Sequence, residues 1–311
     1  MHNRDKNNLK RKGVIVAHYG VAVEVLFNDT GERSTVRVKR NSGHVVGDNV
    51  EVKGELLNRQ RRFSELSRMD TRGGIHVVGA NLDVLCIVIT CEPLPPPGFT
   101  DRAIVASRAA GLTPILVVNK SDLTCFMEYF QDIKRSYSGS VTIFSVSAET
   151  GSNLDQLKEF FKEGHRGVFV GPTGVGKSSI LNRLIPHLNL STGEISETKK
   201  RGRHTTTVST LHLLEGGGEL VDSPGFNDFG LVDTSINELA AFFPGFEKKV
   251  ANSCRFRDCR HRDEPGCAVT DLLEQKQISE ERYATYLNLL TELEMIDSDP
   301  KYRERRNRRK K

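Results

Sequence analysis

Residues 171–178, with the sequence GPTGVGKS, constrain the fold of this chain more than any other stretch. Their spacing matches G-x-x-x-x-G-K-[ST], the phosphate-binding loop. An apolar run at residues 167–170 precedes the loop, and a helix-like segment ending at Leu184 follows it. Glycines let the backbone wrap around a polyphosphate, and the start of a helix adds N–H donors and a positive dipole end. The sequence therefore predicts a strand–loop–helix unit that binds phosphates.

Specific roles within this unit follow from the residue types. Lys177 places a positive charge on the outer phosphates, and the Ser178 hydroxyl is positioned to ligate Mg²⁺. A second motif, DSPG at residues 222–225, follows the apolar run 219–221; we expect Asp222 to reach Mg²⁺ indirectly and the Gly225 amide to lie near the γ-phosphate. The predicted phosphate-loop residues are Gly171, Pro172, Thr173, Gly174, Val175, Gly176, Lys177, Ser178 and Ser179.

Two further segments indicate which base is bound. Residues 119–122 have the sequence NKSD after the apolar run 115–118, which matches the guanine-reading motif N-K-x-D. The Asp122 carboxylate can accept hydrogen bonds from both the ring N–H and the exocyclic amine of guanine, whereas adenine offers neither pattern. NKSD alone is a common surface turn, but residues 147–151, SAETG, also resemble the loop that backs the base. The predicted base-binding residues are Asn119, Lys120, Asp122, Ser147 and Ala148.

The order of these motifs is unusual. Ordinary small GTPases have the phosphate loop first and the base-reading loops last, whereas here residues 119–122 and 147–151 precede residues 171–178. The same sheet can form if the chain is circularly permuted, because neighbouring termini can be joined and the chain opened elsewhere. With strands before it and a Cys/His cluster after it, this order resembles the RsgA family (also called YjeQ or YloQ), the circularly permuted GTPases of bacterial small ribosomal subunit biogenesis. The resemblance covers nearly the whole chain.

The resemblance implies a multi-domain α/β protein that acts on the small (30S) ribosomal subunit. We expect an OB-like β-barrel at residues 1–66, a circularly permuted P-loop GTPase domain at 67–232, and a zinc-binding helical module with a basic tail at 233–311. The implied activity is Mg²⁺-dependent hydrolysis of GTP to GDP and phosphate, stimulated by the subunit, which times the protein's release from the subunit during late maturation. The implied RNA partner is 16S rRNA.

The first part of the chain shows period-two patterns typical of antiparallel strands. Val23 and Val25 alternate with other residues, as do Val50 and Val52, and glycine- and asparagine-containing turns separate the runs. A small barrel of the OB type fits this pattern. Few aromatic residues are available for base stacking, so phosphate contact through basic side chains fits better; a purely structural β domain is the alternative. The candidate basic side chains are Arg33, Arg37, Lys39 and Arg40.

The central part alternates apolar runs with helical patterns, which favours a doubly wound sheet with its ligand at the C-terminal ends of the strands. Residues 59–72 are basic and irregular, and we interpret them as a linker before a buried strand at 82–89. Thr100 is expected to cap a helix that Gly111 ends, and Asn153 with Gln156 resembles a capping box for the next-but-one helix.

Residues 188–208 occupy the position of the first switch of a GTPase. A threonine hydroxyl there would ligate Mg²⁺, and by matching the family's H-T-T run we assign Thr206, with Thr205 as the alternative. Phe226 follows DSPG where many GTPases have a water-orienting glutamine, and a phenyl ring cannot orient water by hydrogen bonding. The family implies that His204 orients the water instead; a solvent-exposed loop histidine is the alternative. The predicted catalytic residues are His204, Thr206 and Lys177.

Four metal-ligand residues lie close together near the C-terminus, in the pattern Cys254-x₄-Cys259-x-His261-x₅-Cys267. Four N/S ligands make a closed structural Zn²⁺ site, and the mostly charged residues between them cannot build a core without metal. Reduced cysteines on a turn are the alternative. The family has the same site, so we expect one structural zinc. The remaining cysteines are scattered through the central part: Cys86, Cys91 and Cys125.

The chain of 311 residues carries a formal net charge of +5, distributed unevenly. Residues 303–311 and the N-terminal residues 1–12 are both basic, which suggests a polyanionic partner such as RNA, although a solubilising tail is the alternative. We see neither a secretory signal nor an apolar run that could cross a membrane, and we expect a cytoplasmic monomer. Rival functions are an RNA-binding zinc protein with a structural nucleotide and a small-molecule kinase; NKSD argues against the kinase.

Overall fold

The N-terminal part of the chain is an antiparallel sheet. The computed structural model describes residues 10–69, 74–186, 188, 190, 209–222, 230–246, 253–262 and 264–300. Five strands pair in the order β3-β2-β1-β4-β5. They are β1 (Arg11–His18), β2 (Ala22–Phe27), β3 (Arg33–Arg37), β4 (Asn49–Lys53) and β5 (Leu56–Arg59). Their alternate side chains form one buried cluster, as the period-two patterns predict: Ile15, Val23, Val25, Phe27, Val36, Val50 and Val52.

A hairpin follows where we predicted a linker. Strand β6 (Glu65–Met69) pairs antiparallel with β7 (Ile75–Ala80), so the prediction of an irregular segment is wrong for residues 65–69. This strand has no apolar alternation, and distant partners determine its position instead. Immediately before it, the Arg62 side chain is buried and pairs with the fully buried Asp48 carboxylate at 2.6 Å. The domain boundary that we predicted at residue 66 falls within this strand, and the division of the chain into domains stays a prediction.

The central part is a doubly wound sheet, as the alternating pattern predicts. Five parallel strands lie in the order β10-β9-β8-β11-β13, and β12 pairs antiparallel with β13. The strands are β8 (Val84–Ile89), β9 (Thr113–Val118), β10 (Thr142–Ser145), β11 (Arg166–Val170), β12 (Thr210–Leu213) and β13 (Glu219–Asp222). Helices α1 (Phe99–Ala109) and α2 (Phe126–Tyr137) pack on one face, and α3 (Leu154–Lys162) and α4 (Lys177–Leu184) on the other.

The two sheets are joined into one. Strand β1 pairs with β12 through Ala17 and Thr210, which gives a continuous sheet of eleven strands. Beside this joint, the Gly47 carbonyl accepts hydrogen bonds from Arg166 Nη1 at 2.9 Å and from Asn81 Nδ2 at 2.8 Å. Gly47 has a φ of 89°, and a Cβ there would collide with the neighbouring carbonyl oxygen of Ala80. The N-terminal sheet therefore docks on the central sheet through strand pairing and through two side chains that donate to the Gly47 carbonyl.

The predicted cap of α1 is wrong and that of α3 is right in position only, although the helices themselves are confirmed. Helix α1 begins after Gly98, whose φ of 74° needs no side-chain cap, and Thr100 lies buried inside the helix. Asn153 precedes α3 with a φ of 60°, and its side chain makes no capping hydrogen bond. In both cases the residue before the helix is left-handed, whereas a side-chain oxygen normally accepts hydrogen bonds from the first helical N–H groups when the capping residue is extended. Gly111 follows the end of α1 as predicted, with a φ of 73°.

The C-terminal part packs on α1. It contains α5 (Leu239–Phe242), α6 (Ala268–Glu274) and α7 (Glu280–Ser298), which bury a cluster that includes Val105 of α1. The Asp101 carboxylate, 3% exposed, accepts a 2.8 Å hydrogen bond from Arg282 on α7. Among the residues that the structure describes, we find no helix with the length and apolarity needed to span a bilayer.

Candidate nucleotide site and zinc site

The phosphate loop lies where the sequence predicts it, between β11 and α4. Gly174 and Gly176 have φ values of 83° and 95°, a region in which residues with a Cβ are strained. A Cβ at Gly171 would collide with the Val88 carbonyl oxygen, and one at Gly176 would collide with the Asn119 side chain. These glycines are therefore required by both backbone conformation and space. The loop leads from the C-terminal end of β11 into the N-terminus of α4. The free N–H groups at such a helix N-terminus bind anions.

The charged groups predicted for phosphate and magnesium lie at this same edge. The Lys177 ammonium donates to the carbonyl oxygens of Gly171 and Pro172, at 2.7 and 2.8 Å, and its burial lowers its pKa. Asp222 ends β13, which is the parallel neighbour of β11, and burial raises the pKa of its carboxyl. A lysine and a carboxylate that are both partly desolvated are suited to bind a phosphate–Mg²⁺ pair, since ligand charge would offset the desolvation. Ser178 and Asp222 are the described residues that would hold Mg²⁺.

Asn119 joins the base-reading loops to the phosphate loop. Its side chain is buried, with Nδ2 donating to the Val175 carbonyl at 2.8 Å and Oδ1 accepting from the Ala148 amide at 3.1 Å. The Ser147 hydroxyl donates to the Asp122 carboxylate, which orients that carboxylate. All three predicted loops therefore meet through a single amide side chain. The arrangement supports a guanine base beside Asp122 with its phosphates along residues 171–178.

Several contacts at this site were not visible in the sequence. Arg183 on α4 donates to the carbonyls of Ala148 and Glu149, at 2.9 and 2.6 Å, and so holds the SAETG loop against the phosphate-loop helix. Lys120 donates to the Glu92 carbonyl at 2.7 Å. A disulfide between Cys91 and Cys125 lies at the same edge. Arg183, Cys91 and Cys125 match no motif, and the partners in all these contacts are distant in sequence, so no local signal marked the contacts.

Part of the predicted site lies outside the described residues. This holds for the switch residues His204, Thr205 and Thr206, and for Gly225 and Phe226. Their roles stay predictions. The two basic arms are also outside the described residues, except for Lys10, Arg11 and Lys12.

The predicted zinc ligands come together in one cluster. The ligand atoms of Cys254, Cys259, His261 and Cys267 all lie within 4.8 Å of one another. His261 Nδ1 is 3.5, 3.5 and 3.4 Å from the three sulfurs, taken in chain order. Zinc bond lengths of about 2.3 Å to sulfur and 2.0–2.1 Å to nitrogen place tetrahedral ligands roughly 3.5 Å apart. The four residues therefore fit Zn²⁺, and burial lowers the pKa of His261, which favours the neutral ligand form.

Helix α7 contacts the loop that carries the zinc ligands through two tyrosine hydroxyls. The hydroxyl of Tyr283 donates to the carbonyls of His261 and Arg262, at 2.8 and 2.7 Å, and that of Tyr286 donates to the Arg260 carbonyl at 3.0 Å. The Ala268 amide lies 3.4 Å from Cys254 Sγ and donates to it. Such outer contacts orient metal ligands. A zinc ion here would hold together a loop poor in apolar residues, and the two tyrosines attach that loop to α7.

The fold and the order of the loops define a circularly permuted GTPase with a zinc-binding module. A family model described as RsgA GTPase matches residues 59–232. The chain belongs to the RsgA GTPase family.

Relatives and solved structures agree with this membership. A protein of Chromohalobacter salexigens named "Small ribosomal subunit biogenesis GTPase RsgA" is 38% identical over 295 residues, covering 90% of this chain and 86% of that protein. A Pseudomonas aeruginosa protein of the same name is 37% identical, covering 93% and 87%. The crystal structure of YjeQ from Thermotoga maritima matches with a TM-score of 0.75 and 31% identity, over 92% of this chain and 99% of that one. That of YloQ, described as a circularly permuted GTPase, has a TM-score of 0.67 at 23% identity and shows the shared fold.

Proposed function

We propose that this chain binds the small ribosomal subunit and hydrolyses GTP to GDP and phosphate to time its own release during late subunit maturation. The observation that carries the proposal is the meeting of the phosphate loop and both base-reading loops at Asn119. The relatives named above are small ribosomal subunit biogenesis GTPases. We expect the chain to act as a cytoplasmic monomer.

The reaction requires the chain to bind GTP, offset charge and position water. Mg²⁺, held by Ser178 and Asp222 with Thr206, would neutralise charge on the outer phosphates. Lys177 supplies a second positive charge and exchanges the carbonyl oxygens of Gly171 and Pro172 for phosphate oxygens when GTP binds. We assign His204 the orientation of the attacking water because Phe226 cannot form the necessary hydrogen bond. Positioning of this kind lowers a reaction barrier by several kcal/mol. If the subunit orders the switch, the protein should therefore hydrolyse GTP faster.

Basic side chains on two surfaces fit an RNA partner such as 16S rRNA. On the N-terminal sheet, Arg37, Lys39 and Arg40 are exposed, and on the zinc loop Arg255 and Arg257 are exposed. Phosphate contacts of this type fix position without reading sequence. The N-terminal sheet is joined to the central sheet through β1 and β12, and the zinc loop packs against α7, so we expect binding at either surface to affect the GTPase domain.

The test is GTP hydrolysis measured with and without purified small subunits, with ATP as the control nucleotide. We expect slow turnover alone, faster turnover with subunits and none with ATP. An RNA-binding protein with a structural nucleotide would retain GTP uncleaved even in a single turnover on saturating subunits. A kinase would transfer phosphate to an acceptor other than water. Equal rates with and without subunits would contradict stimulation.

A further inference from the structure

The disulfide between Cys91 and Cys125 connects two loops at the nucleotide end of the sheet. Cys91 follows β8 and Cys125 precedes α2, and their Cα atoms are 6.1 Å apart. Cys125 is exposed and Cys91 is half-buried, so the pair lies at the surface, where small thiols can approach it. Neither cysteine belongs to the zinc cluster, whose three sulfurs are free of disulfides.

The segment that follows Cys91 lies between the two halves of the nucleotide site. Its Glu92 carbonyl accepts the hydrogen bond from Lys120 of the NKSD loop. Its Pro93 ring faces the phosphate loop, because a Cβ built on Gly174 would lie 3.4 Å from Pro93 Cγ. We call residues 91–98 the proline loop. The disulfide anchors the start of this loop to the residue three positions after Asp122, the base-reading carboxylate.

Disulfides inside cells are rare and, where they occur, are mostly transient or redox-sensing. A chain that works on ribosomal subunits shares a compartment with thiol reductants. A cross-link open to solvent at Cys125 can therefore form and break there. The remaining cysteine outside the zinc cluster is Cys86, which is fully buried and whose burial raises its pKa, so it is inert to the same reagents.

We propose that Cys91 and Cys125 form a reversible thiol–disulfide site that controls how tightly guanine nucleotide is held. The proposal rests on the proposed function, since it regulates the same nucleotide site. With the bond formed, the proline loop is fixed against the NKSD loop, and Lys120 and Asp122 are preorganised for the base. With the bond broken, both loops lose that restraint, and binding must order them again.

The chemistry is thiol–disulfide exchange with a low-molecular-weight disulfide such as oxidised glutathione. The exposed Cys125 thiolate attacks one glutathione sulfur, forms a mixed disulfide and releases one glutathione thiolate. The Cys91 thiolate then attacks the Cys125 sulfur and releases the second glutathione. Two electrons pass from the protein thiols to the glutathione disulfide, and two molecules of reduced glutathione reverse the steps.

The expected effect is on nucleotide release. Ordering a few side chains and one loop before binding increases affinity, on the order of tenfold, and such differences fall mainly on the dissociation rate. The oxidised protein should therefore release GDP about tenfold more slowly than the reduced protein. Zinc content should be the same in both forms, because the zinc cluster is separate from this pair.

The experiment uses the full chain treated with oxidised or reduced glutathione and then freed of both. Alkylation and mass spectrometry report the state of each cysteine, a colorimetric chelator reports zinc, and fluorescent GDP reports binding and release. The double variant Cys91→Ser/Cys125→Ser keeps Cys86 and the zinc ligands and should release GDP at the reduced rate after either treatment. The treated wild-type protein tests the idea even if that variant does not fold.

Each outcome separates this inference from the proposed function. Slower GDP release in the disulfide form, abolished by the double variant, supports the proposal. Equal release rates in two forms of verified thiol state would overturn it, as would full alkylation of Cys91 and Cys125 after oxidation. Failure to bind GDP in both forms, with zinc intact, would instead count against the proposed function.

Discussion

Arg282 forms an ion pair between α7 and helix α1 of the GTPase domain. Replacing it with methionine should destabilise the protein strongly. Its guanidinium donates to Asp101 on α1 at 2.8 Å and to the carbonyl of Ser136 at 3.1 Å, and it lies 4.6 Å from the centroid of the Tyr137 ring. Methionine preserves most of the aliphatic volume but none of these donors. The change therefore leaves a carboxylate, 3% exposed, without its cation.

The size of the effect follows from that burial. Removing one partner of a buried ion pair costs about 3–5 kcal/mol, because the remaining charge stays desolvated. The matched control is Arg102→Met, which breaks a pair across the same interface with Glu292, whose side chain is 35% exposed. Solvent screens such a pair, so its loss should cost about 1 kcal/mol or less. The double variant Asp101→Asn/Arg282→Met removes the orphaned charge and should recover much of the loss.

The pH dependence gives a second readout. Burial raises the pKa of Asp101, and Arg282 opposes that shift, so removing Arg282 should raise this pKa further. A carboxyl whose pKa is higher in the folded than in the unfolded state binds its proton more tightly when the protein is folded. The free energy of unfolding therefore falls as the pH rises above the carboxyl's ordinary pKa of 3.8. The deficit of Arg282→Met relative to the parent should therefore shrink between pH 7 and pH 5.

Denaturant unfolding followed by circular dichroism is the appropriate assay, because the chain contains no tryptophan. We expect Arg282→Met to lose about 3–5 kcal/mol at pH 7 and Arg102→Met to lose far less. If Arg282→Met loses no more than Arg102→Met, or if its deficit is independent of pH, then Asp101 is not a buried charge that depends on this cation.

Four further predictions concern the two sites. Asp122→Asn should shift preference from GTP toward XTP, because an amide can donate to the xanthine oxygen; unchanged GTP affinity would contradict the base assignment. Metal analysis should find one zinc per chain, lost together with the fold of residues 250–270 in Cys259→Ser, and a protein without zinc would refute the site. His204→Ala should bind GTP normally but lose about 10²-fold of the subunit-stimulated rate in single turnover, and an unchanged rate would make it an ordinary loop residue. Arg183→Met should weaken GDP binding in equilibrium titrations by releasing the SAETG loop, whereas Arg183→Lys should keep part of the affinity.

Features encoded by contiguous residues could be predicted from the sequence. The phosphate loop combines glycines, a lysine and flanking apolar and helical runs within residues 167–184, and the zinc set lies within residues 254–267. The buried strand β8 is apolar along its whole length, so its burial follows from composition alone. Each of these signals is local, and tertiary contacts then reinforce it.

Features that depend on distant partners could not be predicted. Strand β6 has no apolar alternation, and it exists because β7 pairs with it and because Arg62 is anchored on Asp48. The Asp101–Arg282 pair joins residues 181 positions apart, and nothing in either neighbourhood marks it. Thr100 has the residue type of a helix cap, but the left-handed conformation of Gly98 and the burial of the threonine override that preference.

The permuted order of the loops also has a consequence for the nascent chain. Residues 84–151 supply strands β8, β9 and β10 and both base-reading loops, and residues 166–222 supply β11, β12 and β13 and the phosphate loop. In the described residues these halves pair through β8 and β11. Translation at about 5–20 residues per second makes the first half seconds before the second. Until β11 pairs with β8, Asn119 cannot donate its hydrogen bond to the Val175 carbonyl. The base-reading loops are then present without the phosphate loop. We therefore expect the nascent chain to bind no guanine nucleotide until the phosphate loop has been synthesised.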